Sequence, residues 1–343
     1  MKTLAHTLHA QMQHCRLCPR GCGVNRLAGQ RGYCGLDGGL HIAAITRHRG
    51  EEPVLSGADG MCNVFFSHCN LQCVYCQNSQ ISRNNTELPG GPLDFNATLE
   101  RIMRLLDTGI ERLGFVSPTH MVPQMAALVE ALWQRGRHPV IVYNSGGYES
   151  VATLRLLEGL VDVYLPDCKY MDAGLARACS GAADYPEKAA AALREMYRQM
   201  GRVVQLDEQG LIRRGLIVRH LVLPGQTANS VAVLRFLARE LSPGLSLSLM
   251  AQYCPNASVR QHPQLGRRLL ASEYQSVLAE MERLGFVAGF AQELASAENY
   301  WPDFSRDEPF GSEAGQALRS SSPKPPSQSG RLVTLESSTT KNT

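Results

Sequence analysis

The chain contains three cysteines, Cys69, Cys73 and Cys76, separated by three and then two residues. Cysteine thiolates are the usual ligands of iron–sulfur clusters, which normally take four of them. Three thiolates on one [4Fe–4S] cube leave the fourth iron without a protein ligand, and an open position distinguishes reactive metal sites from closed structural ones. The spacing therefore predicts a cluster with one open iron. A structural zinc knuckle and three buried free thiols are the alternatives.

A second group of cysteines precedes the first. Cys15, Cys18, Cys22 and Cys34 lie in a glycine-rich stretch that is too short and too polar to build a hydrophobic core. A bound metal is an economical way to order such a stretch. Zinc held by four thiolates and a second iron–sulfur cluster both remain open, as do unmetallated thiols. The remaining cysteines, which we interpret as free thiols, are Cys62, Cys168, Cys179 and Cys254.

Composition narrows the class of protein. The 343 residues are 44% hydrophobic with a net charge of +3, and no Lys/Arg run is interleaved with aromatics, so nucleic acid is not an expected partner. The first 14 residues show no signal peptide, and no window approaches the roughly 18 apolar residues of a membrane span. Clustered cysteines in such a chain favour metal binding over disulfides, which predicts a cytoplasmic protein without a membrane partner.

The elements around these cysteines alternate between apolar β-type runs and helical patterns, which is typical of βα repeats on a parallel sheet. The predicted strands are 40–46, 63–67, 112–117, 140–143, 161–165, 215–223 and 245–250, with a hairpin between 203 and 212. The predicted helices are 94–106, 125–132, 151–157, 187–200, one capped by Asn229, and 273–284. Six βα units predict an α/β fold, a partial (βα)6 TIM-like barrel.

We divide the chain into an N-terminal Cys-rich segment (1–50), a core barrel (51–300), and an extension with a disordered tail (301–343). The tail, from Ser320 onward, is rich in Ser, Pro, Lys and Thr and has too little apolar surface to fold. Within the connector that precedes the barrel, Glu51 and Glu52 are expected to form an ion pair or to cap a helix rather than to act as an acid or base.

Parallel β/α sheets place their sites at the carboxyl ends of the strands. Polar clusters follow the predicted strands at this edge: the three cysteines of 69–76, Ser117 to His120, Asn144 to Tyr148, Asp167 to Tyr170, Arg219 with His220, and Gln252 with Tyr253. For any one of these residues, a structural role in a turn or a helix cap is an alternative to a functional role. Their alignment along one edge favours a functional site.

These motifs resemble a known family. The octapeptide Cys-Asn-Leu-Gln-Cys-Val-Tyr-Cys at 69–76 is similar to the cluster loop of the radical S-adenosylmethionine superfamily, whose signature is C-x3-C-x-aromatic-C. Further segments are similar to pyruvate formate-lyase activating enzyme homologues, in particular a relative with an extra N-terminal Cys-rich segment. They are the residues at 15–20, 50–53, 65–78, 117–120, 142–149, 166–170 and 219–225.

The resemblance implies roles for individual residues. Cys69, Cys73 and Cys76 would hold the [4Fe–4S] cluster, and Tyr75 would lie near the adenine of S-adenosylmethionine. Asp167-x-Lys169 matches an element that contacts this cosubstrate. The superfamily often has Gly-Gly-Glu after the second strand, where this chain has Ser117-Pro118-Thr119, so backbone carbonyls or Thr119 would have to replace that contact. The other implied cofactor-binding residues are Ser117, Asn144, Arg219 and Tyr253.

The implied activity is reductive cleavage of S-adenosylmethionine to a 5′-deoxyadenosyl radical, which abstracts hydrogen from a protein or small-molecule acceptor. An electron donor such as flavodoxin or ferredoxin would be required. No side chain is predicted to be catalytic in its own right. The alternatives are a non-catalytic iron–sulfur redox or iron sensor that uses both cysteine groups, and a zinc-binding scaffold.

Overall fold

Apolar strands that alternate with amphipathic helices form one mixed sheet with a helical layer. The computed structural model describes residues 3–86, 91–298, 302–306, 308–310 and 333–334. The helices are α1 (Leu4–Ala10), α2 (Pro53–Ser56), α3 (Ser79–Ser82), α4 (Phe95–Leu106), α5 (Val122–Gln134), α6 (Val151–Leu156), α7 (Ala173–Ser180), α8 (Tyr185–Met200), α9 (Thr227–Glu240) and α10 (Ala271–Arg283). The strands are β1 (Ile42–His48), β2 (Met61–Phe66), β3 (Arg112–Val116), β4 (Val140–Ser145), β5 (Val163–Pro166), β6 (Gln205–Leu206), β7 (Ile212–Leu221), β8 (Ser246–Met250), β9 (Gly289–Ala291) and β10 (Val333–Thr334).

The strand order is β1-β2-β3-β4-β5-β7-β8-β9-β10, with β6 paired to β7 as the predicted hairpin. Pairing is parallel from β2 through β9, whereas β1 and β10 are antiparallel at the two ends. The parallel α/β sheet that the sequence predicts is therefore confirmed. Its short seventh parallel strand, β9, was not predicted, because three residues are too few to show a periodic pattern.

The two faces of the sheet bury different partners. Cys62, Val64 and Phe66 of β2 belong to a core shared with α4, α5, α8, α9 and α10. On the opposite face, Met61 of β2 and Phe290 of β9 share a second cluster. These strands are six steps apart, about 29 Å in a flat sheet at the usual strand spacing. Buried residues of β4, β5 and β7 also belong to this cluster and connect its two ends, so the cluster runs along an open order of strands.

Helices α1, α2 and α3 were not predicted, and two further features differ from the expected elements. Asn229 lies inside α9 and does not cap it, since Gln226 holds the N-cap position. Its side chain instead holds the 169–171 loop: Nδ2 donates to the Lys169 carbonyl and Oδ1 accepts from the Met171 amide, each over 2.9 Å. Helix α7 was not predicted. It begins after the cap residue Asp172 and ends at Gly181, which adopts a left-handed conformation.

The predicted disordered tail, 320–343, lies outside the described residues except for β10. Among the described helices, none combines the length and the apolar character that a membrane crossing needs.

Candidate metal and cofactor site

The three cysteines of the octapeptide line one side of a cavity of about 220 Å³ at the carboxyl edge of the sheet. Strand β2 is fully buried, and the chain turns away from it at His68, which has a φ of 64°. A left-handed conformation at a non-glycine residue costs energy and persists only where its surroundings enforce it. Both ring nitrogens of His68 contact carbonyls: Nδ1 lies 2.8 Å from Cys34 O, and Nε2 lies 3.1 Å from Thr86 O.

The side chain of Gln72 crosses the cysteine loop. Its Nε2 donates to Ser82 O over 2.9 Å and to Asn84 Oδ1 over 2.8 Å, and its Oε1 accepts from the Asn84 amide. Asn84 Oδ1 also accepts from the Cys69 amide over 3.2 Å. The loop is therefore fixed by side-chain amides that satisfy backbone groups.

Each cysteine sulfur accepts a hydrogen bond. Cys69 Sγ accepts from the Leu71 amide over 3.4 Å, Cys73 Sγ from Ser180 Oγ over 2.9 Å, and Cys76 Sγ from Ser82 Oγ over 3.3 Å. Burial raises the pKa of the Cys69 thiol to about 12 and raises that of Cys76. Without a cation these groups would be protonated thiols, whereas a metal deprotonates a coordinating thiol outright. Three sulfurs that receive donors therefore suit thiolate ligands.

A chain of hydroxyl groups leads to Cys73. Tyr75 Oη lies 2.5 Å from Tyr170 Oη, which lies 2.7 Å from Ser180 Oγ, the donor to Cys73. Tyr75 and Tyr170 are both buried. Tyr75 lines the cavity as expected for a cofactor contact, but its hydroxyl is already used within the protein.

Asp167 and Lys169 form an ion pair on the cavity wall, with Nζ to Oδ2 at 2.5 Å. Burial lowers the pKa of Lys169, but the Asp167 carboxylate, with contributions from Cys73 and Cys76, raises it above its ordinary value, so the ammonium stays charged. The pair faces the same cavity as the three cysteines. This places one carboxylate and one ammonium where they can contact a zwitterionic molecule bound beside the sulfurs.

The backbone at Gly146 and Gly147 lies close to the backbone of the ion pair and is joined to it by Tyr185. Tyr185 Oη accepts from the Lys169 amide over 2.9 Å and donates to Gly146 O over 2.8 Å. Gly147 has a φ of 77°, and a Cβ there would overlap the Asp167 carbonyl oxygen. Glycine is therefore required at this position both for its conformation and for the missing side chain.

A buried ion-pair network also lines the cavity. Arg219 Nε donates to Glu52 Oε1 over 2.8 Å, and its Nη2 contacts both Glu51 and Glu52. Burial raises the pKa of Glu51, but Arg219, with contributions from His48 and Asn63, holds it below its ordinary value. The expected ion pair is confirmed. Arg219, predicted as a cofactor ligand, is largely engaged by these carboxylates. His48, which was not predicted, lines the same region with an unpaired Nδ1.

The other predicted cofactor residues fall into two groups. Ser117, in a left-handed conformation with a φ of 54°, and Asn144 line the cavity, and the Ser117 amide donates to Asn144 O over 2.9 Å. Thr119 and Tyr253 do not line it. Thr119 Oγ1 donates to Glu149 Oε1 over 2.7 Å, and Tyr253 Oη donates to Leu265 O over 2.6 Å.

Glu149 is a buried carboxyl that the sequence did not single out. It accepts from Thr119 and, over 2.9 Å, from Tyr143 Oη. Burial raises its pKa to about 7, although both hydrogen bonds oppose that shift. Glu149 does not line the cavity, and through Thr119 and Tyr143 it stabilises the carboxyl edge of the sheet.

Residues that follow β9 cover part of the cavity. Pro302 and Phe310 line it, and the Phe310 ring lies 4.1 Å from the His48 ring and 5.6 Å from that of Phe65. Gln80 on α3 holds this segment, since its Oε1 accepts from the Phe304 amide over 2.9 Å. The C-terminal extension thus contributes apolar surface to the site.

The four N-terminal cysteines share one small cavity of about 10 Å³. Cys22 Sγ accepts from the Tyr33 amide over 3.2 Å, and Gly32 permits this approach because a Cβ there would lie 2.8 Å from that sulfur. Burial, with smaller contributions from Cys34, Cys15 and Cys22, raises the pKa of Cys18 to about 12. Within the described residues, no group of three or more Cys, His, Asp or Glu side chains is arranged to hold a single metal ion as it stands.

No protein-family model matches the chain. The uncharacterized protein MJ0674 of Methanocaldococcus jannaschii is 26% identical over 277 residues, which cover 79% of this chain and 75% of that protein.

Two solved structures show weak similarity. Streptococcus suis SuiB bound to precursor peptide SuiA has a TM-score of 0.42 at 10% identity over 63% of this chain and 43% of that one. Native anSMEcpe with bound AdoMet has a TM-score of 0.42 at 11% identity over 63% of this chain and 57% of that one. The chain thus spans about half the length of these structures, and its function must be inferred from its own residues.

Proposed function

We propose that this protein is a radical S-adenosylmethionine enzyme. Cys69, Cys73 and Cys76 would hold a [4Fe–4S] cluster, and the cavity beside them would bind the cosubstrate. When bound, the reduced cluster would supply the electron that cleaves S-adenosylmethionine to methionine and a 5′-deoxyadenosyl radical. The observation that carries the proposal is that three hydrogen-bonded sulfurs and the Asp167–Lys169 pair face one cavity.

The residues of the site divide the work of binding. Asp167 and Lys169 would contact the charged groups of the cosubstrate, since charge-assisted hydrogen bonds are stronger than neutral ones. Tyr75, Ser117 and Asn144 line the cavity where they can contact its remaining surface. Because Arg219 is paired with two carboxylates, we propose that it sets the shape and charge of the cavity wall and does not bind the cosubstrate directly.

Four further assignments belong to this proposal: a second metal, the hydrogen donor, the electron donor and the location. The four N-terminal cysteines, which share one small cavity, are proposed to hold a second metal, either zinc or an iron–sulfur cluster. The hydrogen donor is proposed to be a protein or peptide, as in activating enzymes. One weakly similar structure, SuiB, carries a precursor peptide. An electron donor such as flavodoxin or ferredoxin and a cytoplasmic location complete the proposal.

The test is anaerobic reconstitution with iron and sulfide, followed by dithionite and S-adenosylmethionine. We expect 5′-deoxyadenosine to form with the wild-type chain and not with Cys73→Ala. Cys254→Ser, which changes a cysteine that does not line the cavity, is the matched control and should retain the activity. A wild-type chain that holds its cluster but forms no 5′-deoxyadenosine would refute the proposal.

A further inference from the structure

The N-terminal Cys-rich segment packs directly against the 69–76 cysteine loop. Arg20, which lies between Cys18 and Cys22, donates from Nε to Asn70 O over 2.9 Å. Its Nη1 donates to Gly181 O over 2.8 Å, at the end of the helix whose last residue, Ser180, bonds Cys73. One guanidinium therefore contacts the loop and the neighbouring helix at once.

Aromatic rings fix the plane of this guanidinium. Its carbon lies 3.7 Å from the centroid of the Tyr33 ring and 5.1 Å from that of Tyr148. Stacking of this kind adds a cation–π attraction and restricts the rotamers of the arginine. Tyr33 itself belongs to the N-terminal segment, next to Cys34.

Two more side chains join the same two segments. Asn84 Nδ2 donates to Tyr33 O over 2.6 Å, while its Oδ1 accepts from the Cys69 amide. The His68 ring contacts Cys34 O, as described above. Asn70 also lines the small cavity that the four N-terminal cysteines share. The two cysteine groups are thus connected through several independent contacts.

We infer that Arg20 is a positioning residue, which transmits the order of the Cys15/Cys18/Cys22/Cys34 site to the cluster-binding loop. A metal held by Cys18 and Cys22 fixes the short segment that presents Arg20. Arg20 then fixes Asn70, and through it the orientation of the neighbouring Cys69. This inference rests on the proposed function for the identity of the groups bound, but the contacts themselves are properties of this chain.

The experiment measures two rates in the full-length wild type and its variants. The first is amide hydrogen exchange in residues 69–76, and the second is the removal of iron from the reconstituted protein by a chelator. Losing two charged-donor hydrogen bonds should raise local opening, and with it both rates, about tenfold to a hundredfold in Arg20→Ala. Arg20→Lys should not rescue, because an ammonium cannot reproduce the planar fork. Arg16→Ala is the matched control, since the only hydrogen bond of this exposed side chain to the described residues is with His14.

Removal of the N-terminal metal should reproduce the effect. Cys18→Ser should lower total metal, keep the Cys69 cluster in place, and raise exchange in residues 69–76, whereas Cys254→Ser should change none of these. Unchanged exchange in both Arg20→Ala and Cys18→Ser would overturn the inference. An iron-free wild type would instead refute the proposed function, and the exchange comparison would still decide the role of Arg20.

Discussion

The Ser180 hydroxyl donates to Cys73 Sγ over 2.9 Å, although the two residues are 107 positions apart in the sequence. The Ser180 hydroxyl is also hydrogen-bonded to the Tyr170 hydroxyl, which is hydrogen-bonded to that of Tyr75. Hydrogen bonds to the sulfurs are one of the features that set the potential of a cluster, because they stabilise the more negative, reduced state.

We therefore expect Ser180→Ala to lower the reduction potential of the cluster. A net hydrogen-bond energy of about 0.5–1.5 kcal/mol corresponds to roughly 20–60 mV for one electron. The measurement is an anaerobic redox titration followed by electron paramagnetic resonance. Ser276→Ala, which removes an exposed hydroxyl on α10, is the control. An unchanged or raised potential would contradict this role for Ser180.

The Asp167–Lys169 pair should govern cosubstrate affinity. Lys169→Gln and Asp167→Asn each leave a partly buried partner unpaired and remove a charged contact, so we expect S-adenosylmethionine to bind about tenfold to a hundredfold more weakly. Anaerobic calorimetry on the reconstituted protein measures this directly. Lys188→Gln, at an exposed ion pair with Glu187, should leave affinity unchanged. Equal affinities for all variants would remove the pair from the binding site.

Gly147 offers a test of the close packing behind this pair. Gly147→Ala should lower the free energy of unfolding by well over the ~1–2 kcal/mol that a left-handed alanine costs, because its Cβ would also overlap the Asp167 carbonyl. Gly136→Ala has a similar φ, 72° against 77°, but nothing within 4 Å of the added carbon. The difference between the two variants in denaturant unfolding therefore isolates the overlap. Equal losses would show that the backbone yields freely at Gly147.

Glu149 should make stability depend on pH. Its pKa is raised from 4.5 to about 7 by burial, so between these values the folded state holds a proton that the unfolded state has lost. The free energy of unfolding should therefore fall by roughly 3 kcal/mol as pH rises through this window. Glu149→Gln should match the wild type near pH 4.5 and exceed it at pH 8. Parallel pH profiles for the two proteins would rule this out.

Local patterns explain what the sequence predicts well. The strands β2 to β5, β7 and β8 are apolar runs that end at turn residues, and the cysteine spacing lies within eight residues, so both are readable from neighbouring positions. Glu51 and Glu52 form ion pairs, as expected, although the sequence did not identify Arg219 as their partner.

Long-range partners could not be predicted in this way. Arg20 is 50 residues from Asn70, and no residue pattern marks it as a contact of the cysteine loop. Thr119 was a reasonable candidate for the cofactor, but the sequence does not show that Glu149, 30 residues later, takes up its hydroxyl. Tyr170 bonds Ser180, and Ser180 bonds Cys73, which is 107 residues away in the sequence, so this series of contacts exists only after the chain has folded.

The most direct test of the account is the electron paramagnetic resonance spectrum of the reduced, reconstituted protein with and without S-adenosylmethionine. We expect a [4Fe–4S] signal whose line shape changes when the cosubstrate binds, and its loss in Cys73→Ala. A cluster signal that is identical before and after saturating S-adenosylmethionine would contradict an open iron beside Cys69, Cys73 and Cys76.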